Sequence, residues 1–346
     1  MDELFENMVS GENINFAFEK AIKNKRFRPD ILKFSSQRER NLNRIMIELK
    51  NKTYNHGGYF NFTVNDSKKR IIWAAQFRDR VVHHILYNVL NPIFEKSFIF
   101  DSYACRTGKG AQRAIWRCQK FIKEASRGGK LKNKNIYCFK GDIQKYFDSI
   151  DRKILKQIIS KKIKSPGIIW LVNLIIDSHV GDKGMPIGNL TSQLFANIYL
   201  NELDHFIKEV LKIKWYVRYM DDFIILDTNK AKLFKERGLV RNFLKDKLNL
   251  KLHPKKSEYF PIARGIEFLG YIVFWNYIIL RKSTLKRFKK RIKKEWDKID
   301  SNKLVLIDNA FLSWESYFKH ARCNRVMTNI YEKYWFLIWK EEKHRC

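Results

Sequence analysis

Apolar and polar residues alternate along residues 215–226, where two β-prone runs flank a short polar turn. Trp215–Tyr219 forms the first run and Phe223–Leu226 forms the second. A period of two is typical of strands that bury one face. The pattern therefore predicts a β-hairpin whose turn carries Asp221 and Asp222 at the tip of a sheet.

Other patterns predict elements before and after this hairpin. Residues 135–141 form an apolar run that ends at Asp142, and residues 59–73 alternate as a second hairpin. Apolar residues at three- and four-residue spacing predict helices elsewhere. These helices begin near Gln76 and Ser192, or cover residues 230–247, 282–299, 303–320 and 325–341.

Net charge narrows the class of partner. The 346 residues carry a net charge of +33, from 69 Lys and Arg against 36 Asp and Glu, which favours a polyanionic partner. A membrane surface is the competing polyanion, but no apolar run reaches spanning length and no signal peptide opens the chain. The five cysteines lack zinc-site spacing, so we interpret them as reduced thiols. We expect a cytoplasmic protein that binds nucleic acid and not a membrane.

The acidic residues point to a metal site. Adjacent carboxylates such as Asp221 and Asp222 repel each other by roughly a few kcal/mol unless a cation lies between them. A solvated turn is the plain alternative, because Asp is common in turns. Asp142 ends a separate apolar strand, and two strands in one sheet can bring such acids together. Oxygen ligands suit Mg²⁺, and a pair of such ions serves nucleotidyl transfer, so we expect two Mg²⁺.

The combined motifs resemble the palm of reverse transcriptases. Tyr219-Met220-Asp221-Asp222 lies between apolar strands, downstream of a strand that ends in Asp142-x-x-x-Tyr-Phe-Asp. The resemblance runs from about Lys69 to about Tyr271 in the family's motif order. It implies an α+β right-hand polymerase with fingers, a palm of antiparallel sheet backed by helices, and a helical thumb.

The resemblance also implies domains and a reaction. The N-terminal helices and fingers would cover residues 1–135, the palm 136–275 and the thumb 276–346, with 150–190 partly in the fingers. The reaction would be RNA-templated DNA synthesis, in which a primer 3′-hydroxyl attacks a dNTP. Asp142, Asp221 and Asp222 would be catalytic, and together with Ile143 they would hold the two Mg²⁺ ions. The partners would be a structured template RNA, dNTPs and the cDNA/RNA duplex.

Further site residues are implied by family motifs. Those expected to contact the nucleotide are Lys69, Arg70, Phe147, Ile187 and Gln193. Those expected to contact template or primer are Arg106, Lys109, Phe268, Leu269, Gly270, Lys286 and Lys290. A Lys at 255 or 256 would protonate the leaving pyrophosphate. The alternatives are solvated charges for the basic residues and a core aromatic for Phe147.

The segment at 184–197 separates subtypes of the family. Most reverse transcriptases read Pro-Gln-Gly-x-x-x-Ser-Pro here, whereas Ile187 replaces Gln and Gln193 replaces the last Pro. This form resembles the reverse transcriptases of diversity-generating retroelements, which are bacterial or phage-encoded and copy a template repeat with errors at adenines. Ile187 has no hydrogen-bonding group, so Ile187 and Arg70 are our candidates for loosened base selection. The subtype implies a basic accessory protein.

Other interpretations of the function remain open from the sequence. A phage-defence reverse transcriptase with its own noncoding RNA can share this short architecture. A retron or group II intron enzyme fits Ile187 and Gln193 less well. For Ile187 itself, the alternative is a packing variant in an accurate polymerase. A non-catalytic RNA-binding scaffold is the alternative from a different class. Because the sequence ends after the thumb, we expect template removal and target cleavage to come from other proteins.

Overall fold

The structure is a computed structural model that describes residues 2–65, 69–130, 136–296, 318–322 and 328. The chain divides into two units. The first holds Met1–Gly110, Lys140–Phe223 and Phe234–Ser257, and the second holds Ala111–Phe139, Ile224–Leu233 and Glu258–Cys346.

Helices open the first unit. They are α1 (Glu3–Met8), α2 (Gly11–Ile22), α3 (Pro29–Ser35), α4 (Arg38–Lys50) and, after the first hairpin, α5 (Phe77–Glu95). Ser10 caps α2, because its hydroxyl accepts a hydrogen bond from the Asn13 amide at 3.2 Å. Ile14, Ala17 and Phe18 recur on one face of α2 and are buried, which packs this helix against α5.

The first hairpin consists of β1 (Tyr59–Asn65) and β2 (Lys69–Ala75). The strands pair antiparallel, from Tyr59 opposite Ala75 to Asn65 opposite Lys69. Alternation in the sequence predicted this hairpin, and the pairing confirms it.

A four-stranded sheet carries the acidic residues. Its strands are β3 (Tyr137–Asp142), β4 (Trp215–Tyr219), β5 (Asp222–Asp227) and β6 (Glu258–Pro261), in the order β4-β5-β3-β6. The prediction of a single buried face for the central hairpin is wrong, because consecutive residues of β4 and β5 are buried on both faces. On one face of β4, the side chains of Tyr216 and Arg218 bind the carboxylate of Asp204, which lies on a helix. On the opposite face, Val217 is buried as well.

Further helices of the first unit follow β3 and precede β4 along the chain. They are α7 (Tyr146–Ser149), α8 (Arg152–Lys162), α9 (Pro166–Asp177) and α10 (Leu190–His205), and α10 continues as a π-helical turn over Phe206–Val210. α11 (Lys230–Leu248) follows β5, as the sequence predicted. Asp151 caps α8 by accepting from the amides of Lys153 and Ile154.

The second unit contains a small antiparallel sheet and basic helices. Its elements include α6 (Ala111–Ala125), β7 (Ile266–Phe268), β8 (Tyr271–Val273), β9 (Ile278–Leu280) and α12 (Lys282–Trp296). β7, β8 and β9 pair in chain order. Phe288 of α12 packs against Phe318, with ring centroids 4.8 Å apart. The predicted helix 325–341 and most of the predicted helix 303–320 lie outside the described residues.

The segregated helices and antiparallel pairs confirm the predicted α+β class. Within the described ranges, no helix is both long enough and apolar enough to cross a membrane.

Candidate active site

The turn between β4 and β5 consists of Met220 and Asp221, and Asp222 begins β5. Met220 has a φ of 55°, in the left-handed region. For a residue other than glycine this conformation costs roughly 1–2 kcal/mol, so neighbouring contacts must hold it. Asp221 and Asp222 are both half-buried.

Asp142 lies on the strand next to this turn. β3 and β5 are neighbours in the sheet, and Asp142 is the last residue of β3 while Asp222 is the first of β5. The backbone of Gly141 lies directly against the ring of Phe223, since a Cβ on Gly141 would fall 2.1 Å from Phe223 Cζ. The contact joins the residue before Asp142 to the residue after Asp222, so the two acids share one end of the paired strands.

A basic residue also reaches Asp142. Lys256 places Nζ 3.5 Å from Asp142 Oδ1. Two residues that flank Lys256 in the sequence also bind the end of β3. The amide of His253 donates to the carbonyl of Asp142 at 2.7 Å, and Ser257 Oγ donates to the same carbonyl at 3.2 Å. The sequence left Lys255 and Lys256 as alternatives, and the geometry favours Lys256.

The three acids suit Mg²⁺ in kind, because all of their donors are carboxylate oxygens. Among the residues that the structure describes, however, no three His, Cys, Asp or Glu side chains form a ready-made metal cluster. Ile143 is buried and bridges to Leu252 through the backbone. The metal-binding role of these residues stays a prediction.

The loop before α10 is joined to the segment that carries Phe147. The amide of Met185 donates to the carbonyl of Phe147 at 2.8 Å, and the amide of Gly184 donates to that of Ile150 at 2.8 Å. Phe147 is half-buried, so part of its ring is exposed. The arrangement brings Phe147 and the Ile187 loop into one region of the first unit.

The first hairpin contacts the same loop. The amide of Trp73 on β2 donates to the carbonyl of Ile187 at 2.8 Å. The side chain of Ile72 lies against Gly188, where an added Cβ would come within 2.7 Å of Ile72 Cγ2. Arg70 shares a strand face with Ile72, whereas Lys69 lies on the opposite face. Of the two exposed basic residues, Arg70 is therefore on the side of the Ile187 loop.

Gln193 lies in the first turn of α10 and is half-buried. Its amide donates to the carbonyl of Asn189 at 3.3 Å. Asn189 accepts from the Ala75 amide at 3.3 Å and donates to the Trp73 carbonyl at 3.0 Å. The start of α10 is thus fixed to β2, and a nucleotide contact by Gln193 stays a prediction.

The geometry does not support the predicted template contact of Arg106. Its side chain is buried, pairs with Glu95 at 2.7 Å and donates to the carbonyls of Ile99 and Ser102 at 2.7 and 2.8 Å. These bonds connect Arg106 to the chain segment just before it, so the guanidinium stabilises this loop. Lys109 is half-buried, and its Nζ lies 3.5 Å from the centroid of the Phe100 ring.

The predicted primer-contact residues lie in the second unit. Leu269 and Gly270 form the two-residue turn between β7 and β8, and both have positive φ, as such hairpin turns require. Phe268 is buried, so its side chain belongs to the core of this unit. Lys286 and Lys290 are exposed one helical turn apart on α12.

A buried arginine in α8 has a role that no sequence motif indicates. Arg152 donates to the carbonyl of Gly184 at 3.0 Å and to those of Val180 and Lys183 at 3.4 Å. The guanidinium of Arg152 therefore stabilises the loop that leads to Ile187. Its sequence neighbourhood, at the start of a basic helix, is typical of a solvated charge, so only the fold reveals its role.

The buried His83 and the half-buried His84 lead us to expect a pH-dependent stability. Burial, together with the nearby His56 and His84, lowers the pKa of His83 to about 3; burial and Lys20 lower that of His84 to about 4. Unfolded histidine titrates near 6.5, so below that pH the unfolded state binds protons that the folded state does not. We expect the free energy of unfolding to fall by up to about 1.4 kcal/mol per pH unit for each group between pH 6.5 and 4.

Urea denaturation at pH 7, 6 and 5 checks this expectation, with His83→Gln as the comparison. The variant should show a shallower dependence on pH than the wild type. If the free energy of unfolding fell equally steeply with falling pH in both proteins, the assignment of this pH dependence to His83 would be contradicted.

Residues 63–273, more than half of the chain, match the family described as reverse transcriptase (RNA-dependent DNA polymerase). The chain belongs to the reverse transcriptase family.

Individual relatives agree with this family. The chain is 24% identical to Protein YkfC of Escherichia coli over 247 residues, which cover 60% of this chain and 64% of YkfC. It is 30% identical to the group II intron-encoded protein LtrA of Lactococcus lactis over 159 residues, 44% of this chain and 25% of LtrA. The chain thus spans under two thirds of either relative. A solved telomerase from Candida albicans, in complex with a fragment of telomeric RNA, shares the fold at a TM-score of 0.50 and 10% identity, over 82% of this chain and 60% of that chain.

Proposed function

We propose that the chain is an RNA-directed DNA polymerase whose catalytic residues are Asp142, Asp221 and Asp222. The observation that carries the proposal is the placement of Asp142 and Asp222 at one end of the neighbouring strands β3 and β5, beside a turn that holds Asp221. The three acids stand at the family's motif positions. Their half-burial keeps them accessible to substrate while limiting solvent screening.

In this reaction the primer 3′-hydroxyl attacks the α-phosphate of a dNTP, the new phosphodiester bond forms and pyrophosphate leaves. Asp142, Asp221 and Asp222, with the backbone of Ile143, would hold two Mg²⁺ ions, which when bound stabilise the attacking and leaving oxygens. Lys256 lies at Asp142 and would deliver a proton to the departing pyrophosphate. Most of the acceleration would come from positioning and charge neutralisation.

The loops around the acids would select the nucleotide. Phe147 lies under the sugar in this proposal and excludes a 2′-hydroxyl, which favours deoxynucleotides. Arg70 would contact the triphosphate, since it lies on the face of β2 that meets the Ile187 loop. Lys69 lies on the opposite face of β2, so its proposed contact with the nucleotide rests on its motif position alone.

Primer extension tests the activity itself. Purified protein, Mg²⁺ and dNTPs are incubated with a short RNA template and an annealed primer. We expect complementary DNA that requires the RNA template and forms far more slowly with ribonucleotides. A chain that binds the template–primer yet never extends it would contradict the proposal and favour an RNA-binding scaffold.

The proposed biological role is cDNA synthesis for a diversity-generating retroelement. Its support is Ile187 and Gln193, which replace the amide and proline of most family members. Such a role would need a structured RNA and a basic accessory protein, with errors concentrated at template adenines. The net charge of +33 suits a large RNA partner. Accurate cDNA would instead favour a defence role with a dedicated noncoding RNA.

Ile187→Gln is expected to lower the error rate at template adenines. The new amide can hydrogen-bond the incoming nucleotide, and one such bond is worth about 1 kcal/mol, or roughly five-fold in discrimination. Sequencing the cDNA of both proteins measures the change. Ile47→Gln makes the same substitution at an exposed position of α4 and should leave the errors unchanged. An unchanged adenine error rate in Ile187→Gln would contradict the role of Ile187.

Lys286→Gln/Lys290→Gln is expected to weaken binding of the template–primer duplex. Each lost phosphate contact reduces the steepness of the salt dependence by about one unit. Fluorescence anisotropy at several salt concentrations measures both effects. The control Lys33→Gln/Lys50→Gln removes the same charge from exposed positions of α3 and α4. Equal losses in both double variants would indicate a general charge effect and contradict a specific contact by α12.

A further inference from the structure

A fully buried arginine lies under the candidate active site. Arg218 on β4 has no exposed surface and pairs with Asp204 of α10, which is equally buried. The pair is bidentate, with Nε 2.7 Å from Oδ1 and Nη2 2.5 Å from Oδ2. This fork-to-carboxylate geometry fixes the plane of the guanidinium as well as its position.

Other buried groups complete the surroundings of this pair. The Tyr216 hydroxyl donates to Asp204 Oδ1 at 2.6 Å. Arg218 Nη2 donates to Ser102 Oγ at 3.1 Å, and Nη1 donates to Asn197 Oδ1 at 3.3 Å. Burial alone would favour the neutral guanidine, but the Asp204 carboxylate outweighs it, so the pKa of Arg218 is raised and the side chain stays charged.

The same guanidinium reaches the turn that carries Asp221. Nη1 of Arg218 donates to the carbonyl of Met220 at 3.1 Å. Met220 is the residue with the left-handed φ of 55°, and its carbonyl belongs to the peptide that leads into Asp221. A charged donor on that carbonyl fixes the orientation of this peptide, and therefore the direction in which Asp221 leaves the backbone.

A role in stability alone accounts poorly for this arrangement. Buried ion pairs often contribute no more stability than apolar side chains of the same volume. The network instead places Nη1 of Arg218 on the carbonyl of Met220, the residue with left-handed backbone in the turn between β4 and β5. Strained backbone persists only where surrounding contacts determine it, and here the contact comes from Arg218.

We propose that Arg218, held by Asp204, is a positioning residue that fixes the Met220 peptide and thereby the Asp221 carboxylate. The inference rests on the proposed polymerase function. Arg218 itself touches neither substrate nor metal in this account. Its contribution is to keep Asp221 in the orientation that phosphoryl transfer needs, without rearrangement during the reaction.

Arg218→Lys tests the proposal. Lysine keeps the charge beside Asp204 but lacks the planar fork, so the bond to the Met220 carbonyl is lost. We expect the Mg²⁺ concentration for half-maximal DNA synthesis to rise about ten-fold, the effect of losing one charge-assisted hydrogen bond. Binding of the template–primer should be unchanged.

A second readout needs neither metal nor activity. The chain has six methionines, so ¹³C-methyl labelling of methionine gives a simple NMR spectrum, and Met220→Leu identifies the Met220 signal. In the Mg²⁺-free Arg218→Lys protein, the Met220 signal should shift or broaden because the turn samples several conformations. Ser102→Ala removes one support of Arg218 while keeping the ion pair, and should produce a smaller change of the same kind.

Arg78→Lys is the matched control. Arg78 also combines an ion pair, to Glu48, with a bond to a carbonyl, that of Asn55 at 3.1 Å. It should leave the Met220 signal and the Mg²⁺ requirement unchanged. An unchanged Met220 signal in Arg218→Lys would overturn the proposal, and a normal Mg²⁺ requirement would do the same. A wild-type protein without DNA synthesis would refute the proposed function, while the Met220 spectrum would still decide the role of Arg218.

Discussion

Asp142→Asn should abolish measurable DNA synthesis while leaving the fold and RNA binding intact. The substitution preserves the size of the side chain but removes the negative charge at the end of β3. Loss of one preorganised electrostatic group commonly costs about 10²- to 10³-fold in turnover, and loss of the proposed Mg²⁺ ligand Asp142 should cost at least that. Single-nucleotide extension under saturating substrate measures the rate.

Asp246→Asn provides the control for Asp142→Asn, because it makes the same change at an exposed position of α11. This control should extend primers at the wild-type rate. An Asp142→Asn protein that retains more than about a tenth of wild-type activity would contradict a central role for this carboxylate.

Gly141→Ala is expected to cause the second largest loss, in stability as well as activity. A methyl group on Gly141 would lie 2.1 Å from Phe223 Cζ, inside the packed sheet. Overpacking of this kind typically costs about 1–3 kcal/mol. Because the displaced ring adjoins Asp222, DNA synthesis should fall by more than the loss of folded protein explains. Thermal unfolding and the rate per folded molecule separate the two effects.

Gly238→Ala is the contrasting variant. Gly238 lies within α11, and no heavy atom lies within 4 Å of the Cβ that would be added. Alanine is favoured over glycine inside a helix by roughly 0.5–1 kcal/mol, so this protein should be slightly more stable and fully active. If Gly141→Ala behaved like Gly238→Ala, the close approach of β3 and β5 would be wrong.

The sequence predicted those elements whose hydrophobic period is clear. Alternation around residues 59–73 predicted the first hairpin, and its antiparallel register confirms it. The acidic residues were found because each lies at the end of an apolar run or in the turn between two such runs. Local patterns of this kind need no knowledge of the tertiary structure.

Contacts between distant segments were not predictable in this way. Arg106 has the sequence surroundings of a nucleic-acid contact, yet it bonds to Glu95 and to its own loop. Arg152 and Arg218 are long cationic side chains that a sequence places at the surface, whereas the fold buries both against oxygen acceptors. Lys256 was distinguishable from Lys255 only once the strand end of Asp142 was located.

The division into fingers, palm and thumb stays a prediction. The two observed units interleave along the sequence, because β3 and β5 each have residues in both. Such units follow contacts between distant segments, whereas a division drawn on the sequence must follow chain order. The basic helix α12 is present as expected over Lys282–Trp296, and the two helices predicted after it fall largely outside the described residues.

A sequenced primer-extension assay tests the central claim most directly. Wild-type protein and Asp221→Asn are each supplied with Mg²⁺, dNTPs and the RNA that copurifies with the chain, and every product is sequenced. We predict that only the wild type makes cDNA complementary to that RNA, with errors concentrated at template adenines. Complementary cDNA from both proteins, or only an untemplated product from the wild type, would contradict RNA-directed synthesis at the Asp142–Asp221–Asp222 site.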